Sequence, residues 1–204
     1  MRLDKYLANH GPWSRREIKR LVRQGLVRLD GKAVTDAGMH IEEDANIAVE
    51  GEPLGPPPPG YLMFHKPVGV VCANSDNLHP TVFDHLPEDF SSRMHIAGRL
   101  DLDTTGLVLL TDDGQWSHRI TSPRSECPKL YQVVLQHPLT DQMQRQLERG
   151  VFLHEEKRRT APARVERIAD DEILLTIHEG KYHQVKRMLI AVENEVIELH
   201  RCAI

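Results

Sequence analysis

GEPLGPPPPG, residues 51–60, divides the chain. Four consecutive prolines cannot join a helix or a central strand, and they favour a stiff, extended spacer. Such a run also suits a polyproline ligand, but its place between two segments of different composition reads as a linker. The chain ahead of it is short, a basic stretch followed by an acidic one. The chain behind it is longer and rich in β-patterned runs. Three parts follow: a module over 1–52, a proline-rich linker over 53–60 and a larger domain over 61–204. At 204 residues and 23.3 kDa, the length suffices for a core in the larger part.

Apolar residues make up 40% and charged residues 27%, an ordinary globular balance. No apolar run approaches the ~18 residues of a membrane span, and MRLDKYLANHG has no signal-peptide core. Three scattered cysteines, Cys72, Cys127 and Cys202, form no C-x-x-C pair, which argues against a disulfide framework or zinc knuckle and for a reducing compartment. The expectation is a cytoplasmic protein without a membrane contact. A net charge of −4 speaks against nucleic acid until its distribution is read. Residues 1–32 hold nine Lys or Arg against three acids, while 33–52 hold six acids and no base. The asymmetry, not the total, is the signal.

The basic segment has a shape. Ser14 followed by Glu17 is a capping box that opens SRREIKRLVRQG, and Gly25 supplies the stop. At ~100° per residue, Arg15, Arg16, Lys19, Arg20 and Arg23 fall in an arc of about 140°, opposite Ile18, Leu21 and Val22. One face buries and the other carries five cations, joined by Arg2 and Lys5 on an earlier short helix whose Leu3, Tyr6 and Leu7 supply a packing partner. LVRLDGKAV then reads as strand, Asp30–Gly31 turn and strand. A solvated cationic face is the plainer account of such an arc. The absence of any acid on it favours a surface that tracks phosphates. RLDKYLANHG…SRREIKRLVRQGLVRLDGKAV resembles the small RNA-binding S4 module of ribosomal proteins, with Asp30 where an Asn usually precedes the turn glycine.

Beyond the linker, β-rich runs occur at 61–64, 68–72, 106–111, 130–135, 163–168, 172–177 and 195–200, with helical patterns near 113–120, 140–150 and 181–192. In the last, Val185, Met188, Leu189 and Val192 repeat at i, i+3, i+4, i+7. Strands outnumber helices without regular alternation, so the fold class is α+β: a small N-terminal α/β RNA-binding module plus a larger domain with a mainly antiparallel mixed sheet and flanking helices.

GRLDLDTTGLVLLTDDG (98–114) is the densest chemical stretch. It presents Arg99, Asp101 and Asp103 in a loop beside an apolar strand. Read alone, the D-x-D is open to three accounts: structural capping, a magnesium site or a catalytic acid. HKPVG (65–69), GRLDLDTTGLVLLTDDG, KLY (129–131) and EGKYHQVKRM (179–188), in this order and spacing, resemble the pseudouridine synthases. An S4-like module ahead of this core is similar to the ribosomal branch of those enzymes, and WSHRITSP (116–123) is similar to the small-subunit group acting on 16S rRNA.

The resemblance implies a pseudouridine-synthase domain that isomerises a uridine of 16S rRNA, free or in a small-subunit assembly intermediate. No cofactor and no metal is implied, and a monomer suffices. Asp101 is the implied catalytic carboxylate, Lys186 the cation that keeps it charged, and Tyr131 the ring that stacks on the target nucleotide or moves a proton. Arg99 is a second cation candidate, since i and i+2 on a strand share a face; an RNA-phosphate contact explains it equally. His183 reads as a helix-surface histidine outside the catalytic set, and Asp103, Thr104 and Thr105 as loop-holding residues. The family continues past its ELHR-type strand into a further strand and tail, so a shortened C-terminal end is expected at Ile204. Alternatives are a 23S rRNA enzyme of the same family, a non-catalytic rRNA-binding assembly factor, and a metal-dependent nuclease or glycosidase built on Asp101, Asp103, Asp112 and Asp113.

Overall fold

The computed structural model describes the chain except residues 43, 44, 56–59, 88–90, 92 and 155. The proline run 56–59 and the centre of the acidic stretch, Glu43 and Asp44, therefore lie outside the described residues. The chain separates into two compact units, Met1–Pro59 and Gly60–Ile204.

In the first unit, the Ser14 side chain accepts from the Glu17 amide and the Glu17 carboxylate accepts from the Ser14 amide, which starts helix α2 (Arg15–Arg23). Its Ile18, Leu21 and Val22 are buried against Leu3, Tyr6 and Leu7 of α1 (Leu3–His10). Strands β1 (Val27–Leu29) and β2 (Lys32–Ala33) are joined by Asp30 and Gly31, both with positive φ (49° and 79°), as a primed hairpin turn requires. β3 (Ile47–Val49) and β4 (Glu52–Pro53) complete a four-stranded sheet in the order β2-β1-β3-β4. Pro53, read from sequence as the first linker residue, thus belongs to this sheet; as an edge strand it needs no amide donor there.

The second unit is built on a seven-stranded sheet. It comprises β5 (Tyr61–Lys66), β6 (His95–Ala97), β7 (Thr105–Thr111), β8 (Lys129–Leu135), β9 (Arg164–Arg167), β10 (Glu172–Ile177) and β11 (Val196–Ala203). The order is β5-β7-β11-β8-β10-β9, with β6 on β7. Among the described residues β11–β7 is the one parallel pairing, so the sheet is mixed and mainly antiparallel. Strict in–out alternation in β8 and β10 sends Tyr131, Val133, Leu135, Ile173, Leu175 and Ile177 into the core. Helices α3 (Gly114–Thr121), α4 (Asp141–Arg149) and α5 (Gln184–Ile190) flank it; Val185, Met188 and Leu189 of α5 join the same core, and so does Val192 beyond its end.

Two expectations change. The run 68–72 is not a strand: Gly69 turns at φ 82°, and Val71 makes only an isolated parallel bridge to Thr81. The Val70 carbonyl is taken instead by the Lys66 ammonium, so the segment's hydrogen bonding is diverted from a ladder. β6, only three residues long, has no alternation to betray it and was not foreseen.

Gly106 lies where β7 meets β11. It has φ 103°, and a Cβ there would stand 2.3 Å from the Arg201 carbonyl oxygen and 2.8 Å from its amide nitrogen. Gly106→Ala is expected to destabilise the second unit by about 2–4 kcal/mol, from backbone strain plus a clash with main chain that cannot move independently. Urea denaturation followed by Trp116 fluorescence checks this.

Candidate active site

Residues 98–104 form the loop that leads into β7, and three buried groups fix it from beneath. Arg201, 2% exposed on β11, donates from Nε to the Leu107 carbonyl (2.7 Å) and from its terminal nitrogens to the carbonyls of Gly98 (2.9 Å) and Arg99 (3.4 Å). Lys66, fully buried at the end of β5, donates to the carbonyls of Val70 (2.7 Å), Pro67 (2.9 Å) and Leu102 (3.3 Å). Burial pulls the pKa of the Lys66 ammonium below its ordinary value, opposed by its electrostatic interactions with Cys72, Asp103 and Asp101. The Leu100 amide donates to Cys72 Sγ at 3.3 Å. The Thr104 amide closes the turn on the Asp101 carbonyl at 3.1 Å.

The loop delivers Asp101 to the wall of a cavity of about 750 Å³, which also carries Arg99, Tyr131, Lys129, Tyr182, His183 and Lys186. That volume falls within the range of small-molecule sites. Lys186, on the first turn of α5, stands 3.4 Å from one Asp101 carboxylate oxygen and donates at 2.5 Å to Asp103. One ammonium therefore serves both acids, and Asp103 is an ion-pair partner rather than only a loop fastener. The second Asp101 oxygen lies 3.3 Å from His183 Nε2. His183 sits in the left-handed region (φ 45°, ψ 38°) just before α5, a conformation that turns its ring off the helix surface expected of it. Nothing in the residue letters marks that conformation; the only cue was its place in EGKYHQVKRM.

Tyr131 is 8% exposed on β8, its ring at the cavity wall. Lys129, two residues earlier on the same face, is buried and donates to the Cys127 carbonyl at 2.7 Å; burial lowers its pKa. The structure thus brings together Asp101, Lys186 and Tyr131. It does not pair Arg99 with Asp101: residues 98–104 are loop rather than strand, so i and i+2 do not share a face, and among the described residues the exposed Arg99 side chain has no acidic partner. In the first unit Lys5, Arg15, Arg16, Lys19, Arg20 and Arg23 are all exposed, whereas exposed Arg2 is tied to Asp4 at 2.7 Å. Among the described residues no three His, Cys, Asp or Glu side chains converge as a metal-holding group. No helix of the described residues is long and apolar enough to cross a membrane.

An anionic carboxylate held by a cation beside an aromatic ring, in a cleft of nucleotide size and downstream of a basic helical module, defines an RNA-modifying enzyme. The chain belongs to the RNA pseudouridylate synthase family, whose pattern matches residues 60–191, and the S4 domain pattern matches residues 1–47. It is 50% identical over 202 residues to the ribosomal small subunit pseudouridine synthase A of Escherichia coli K12, covering 98% of this chain and 87% of that protein. The Vibrio cholerae protein of the same name is 45% identical over 201 residues, with 98% and 87% coverage. A crystal structure of a pseudouridylate synthase, 43% identical, superposes with a TM-score of 0.69 over 98% of this chain and 87% of that one.

Asp103 gives a direct test of the shared lysine. The hydrogen bond from Lys186 holds its carboxyl below the ordinary 3.8, against the opposing effect of burial. A folded-state value below the unfolded one means that the pair's contribution is fully present above about pH 4 and is lost as pH falls through the folded-state value. A carboxyl-carbon NMR titration is expected to place Asp103 below 3.8 in the wild type and to return it to 3.8 or above in Lys186→Met.

Proposed function

We propose that this chain converts one uridine of 16S rRNA to pseudouridine in an assembling small ribosomal subunit, as a cytoplasmic monomer. Support for the target comes from the relatives, which are named for the small ribosomal subunit. Support for the compartment comes from three free cysteines, one of them exposed. The observation that carries the chemistry is the Asp101 carboxylate 3.4 Å from Lys186, 29% exposed, in a cavity shared with Tyr131.

The reaction breaks the bond from ribose C1′ to the glycosidic nitrogen N1, rotates the uracil, and joins C1′ to C5. The C5 proton leaves and N1 gains one, so no oxidant, reductant or group donor is consumed. Lys186 stands 3.4 Å from Asp101 as its counter-charge, and Asp101 acts on the ribose, on the base, or in elimination. Tyr131, fixed on a core strand, offers a flat apolar face to the uracil and a hydroxyl for proton movement. The target uridine leaves its stack to enter, at a cost of a few kcal/mol that pocket and phosphate contacts offset. Arg99, exposed at the cavity wall, serves as a phosphate contact in this reading. The cations of α2 hold neighbouring rRNA, and the linker raises the local concentration of substrate at the cavity.

Asp101→Asn preserves shape and removes the charge. Tritium release from rRNA carrying C5-labelled uridine is expected to fall at least about a thousandfold, some 4 kcal/mol of barrier, with RNA affinity retained. Release at the wild-type rate in that variant overturns the assignment. Addition of EDTA is expected to leave the rate unchanged, where a metal-dependent nuclease or glycosidase stops.

The α2 face has its own test. Replacing Arg16, Lys19 and Arg20 with Gln is expected to weaken rRNA binding and to reduce the slope of log K against log salt by about two to three. Equilibrium binding from 50 to 300 mM KCl reads this, and an unchanged slope places the RNA elsewhere.

A further inference from the structure

Tyr182 has no part in the isomerisation as described above, yet it is the most exposed aromatic ring among the described residues, with 76% of its surface open. It lies on the wall of the cavity that holds Asp101. One face of the ring is covered: it stacks on the His183 imidazole with centroids 3.7 Å apart and planes 22° from parallel. The other contributes nothing to the core. His183 in turn reaches Asp101 at 3.3 Å, so the ring sits one residue away from the catalytic carboxylate.

The main chain that carries the ring is also held in place. Arg187 donates at 3.2 Å to the Tyr182 carbonyl and at 2.7 Å to the His154 carbonyl. On the other flank, the Lys181 amide donates to the Gln184 side chain at 3.0 Å, and that amide group donates to Glu179 at 2.9 Å. The left-handed backbone of His183 is strained for a residue with a side chain, and it sets the imidazole between the tyrosine ring and Asp101. A flat, rigid apolar surface at the mouth of a polar cleft costs little entropy to bind against.

Eversion of a uridine creates a need that such a surface meets. Drawing one nucleotide out of a stack leaves its neighbour with an uncovered face. Nucleobases stack on exposed aromatic rings whatever their identity. We propose that Tyr182 is a nucleobase-stacking subsite, in which the base adjacent to the target uridine lies on the open face of the ring while the uridine occupies the cavity. The inference rests on the reading that an RNA uridine is the substrate of this cavity. Tyr182 is here a binding residue, and its contribution falls on the association of RNA rather than on bond breaking.

The test uses the full chain and 16S rRNA, with Tyr182→Ala and Tyr182→Phe compared by C5-tritium release and by equilibrium binding of the same RNA. Tyr182→Ala is expected to raise KM and Kd together by about 5- to 150-fold, the range of a lost base–aromatic stack, with the change in KM rather than kcat. Tyr182→Phe, which keeps the ring, is expected to restore both to within about threefold, on the same principle. The ring is outside the core, so both variants should melt with the wild type. Unchanged KM and Kd in Tyr182→Ala overturn the proposal, as does a fall confined to kcat. If the wild type binds this RNA without isomerising it, the functional reading fails, while the Kd comparison still decides the stacking subsite.

Discussion

Two buried cations with no acidic partner among the described residues govern this site. Lys66 and Arg201 sit at 0% and 2% exposure, and each is satisfied by three main-chain carbonyls rather than by a carboxylate. Stripping water from an ammonium or guanidinium costs several kcal/mol, so the carbonyls must converge on it from fixed positions. The Lys66 ammonium has three donors and spends them all. Satisfying these charges ties the carbonyls of Gly98, Arg99, Leu102 and Leu107 to them, and the loop that carries Asp101 is held at both ends. Had a carboxylate neutralised either cation, the loop would have lost its tether.

The same choice keeps Asp101 available. Its charge is not consumed in neutralising Lys66 or Arg201, which main-chain carbonyls satisfy. Its direct partners come from the opposite wall, Lys186 at 3.4 Å and His183 at 3.3 Å, both looser than the Lys186–Asp103 contact at 2.5 Å. Asp103, with its side chain 68% exposed, is the stronger anchor for the lysine, leaving Asp101 attracted but not locked. A carboxylate that must engage a sugar or a base needs this: enough positive potential to stay ionised, and no ion pair so tight that the substrate cannot displace it.

What the residue letters revealed and what they hid divide along physical lines. The capping box at Ser14 and Glu17, the Asp30–Gly31 turn and the β-rich runs at 130–135 and 172–177 are local signals, and the structure follows each one. The apolar repeat through Val185, Met188 and Leu189 likewise has a single period to find. Lys186 and Tyr131 were reachable through family motifs carried on such elements. The failures are tertiary. Arg99 was assigned a strand geometry that its loop does not have. His183 was placed on a helix surface because a left-handed residue leaves no trace in a one-letter code. Lys66 and Arg201 carry no reading from sequence, since nothing local tells a buried cation capped by carbonyls from a solvated one.

Register explains how the distant parts of the site meet. β11 lies between β7 and β8, and Arg201 pairs with Gly106 on one side and Tyr131 on the other. β7, which continues the loop bearing Asp101, and β8, which bears Tyr131, are therefore separated by two interstrand spacings, about 10 Å, with β11 filling the space between them. Gly106 preserves that spacing, because any side chain there would press on the Arg201 main chain and push β7 away. Arg201 thus acts twice: its backbone pairs β7 on one side and β8 on the other, and its guanidinium holds the loop that leads into β7. A chain that reached the same sheet with β11 slipped by one residue would turn that guanidinium to the opposite face, and the carboxylate loop would lose its anchor.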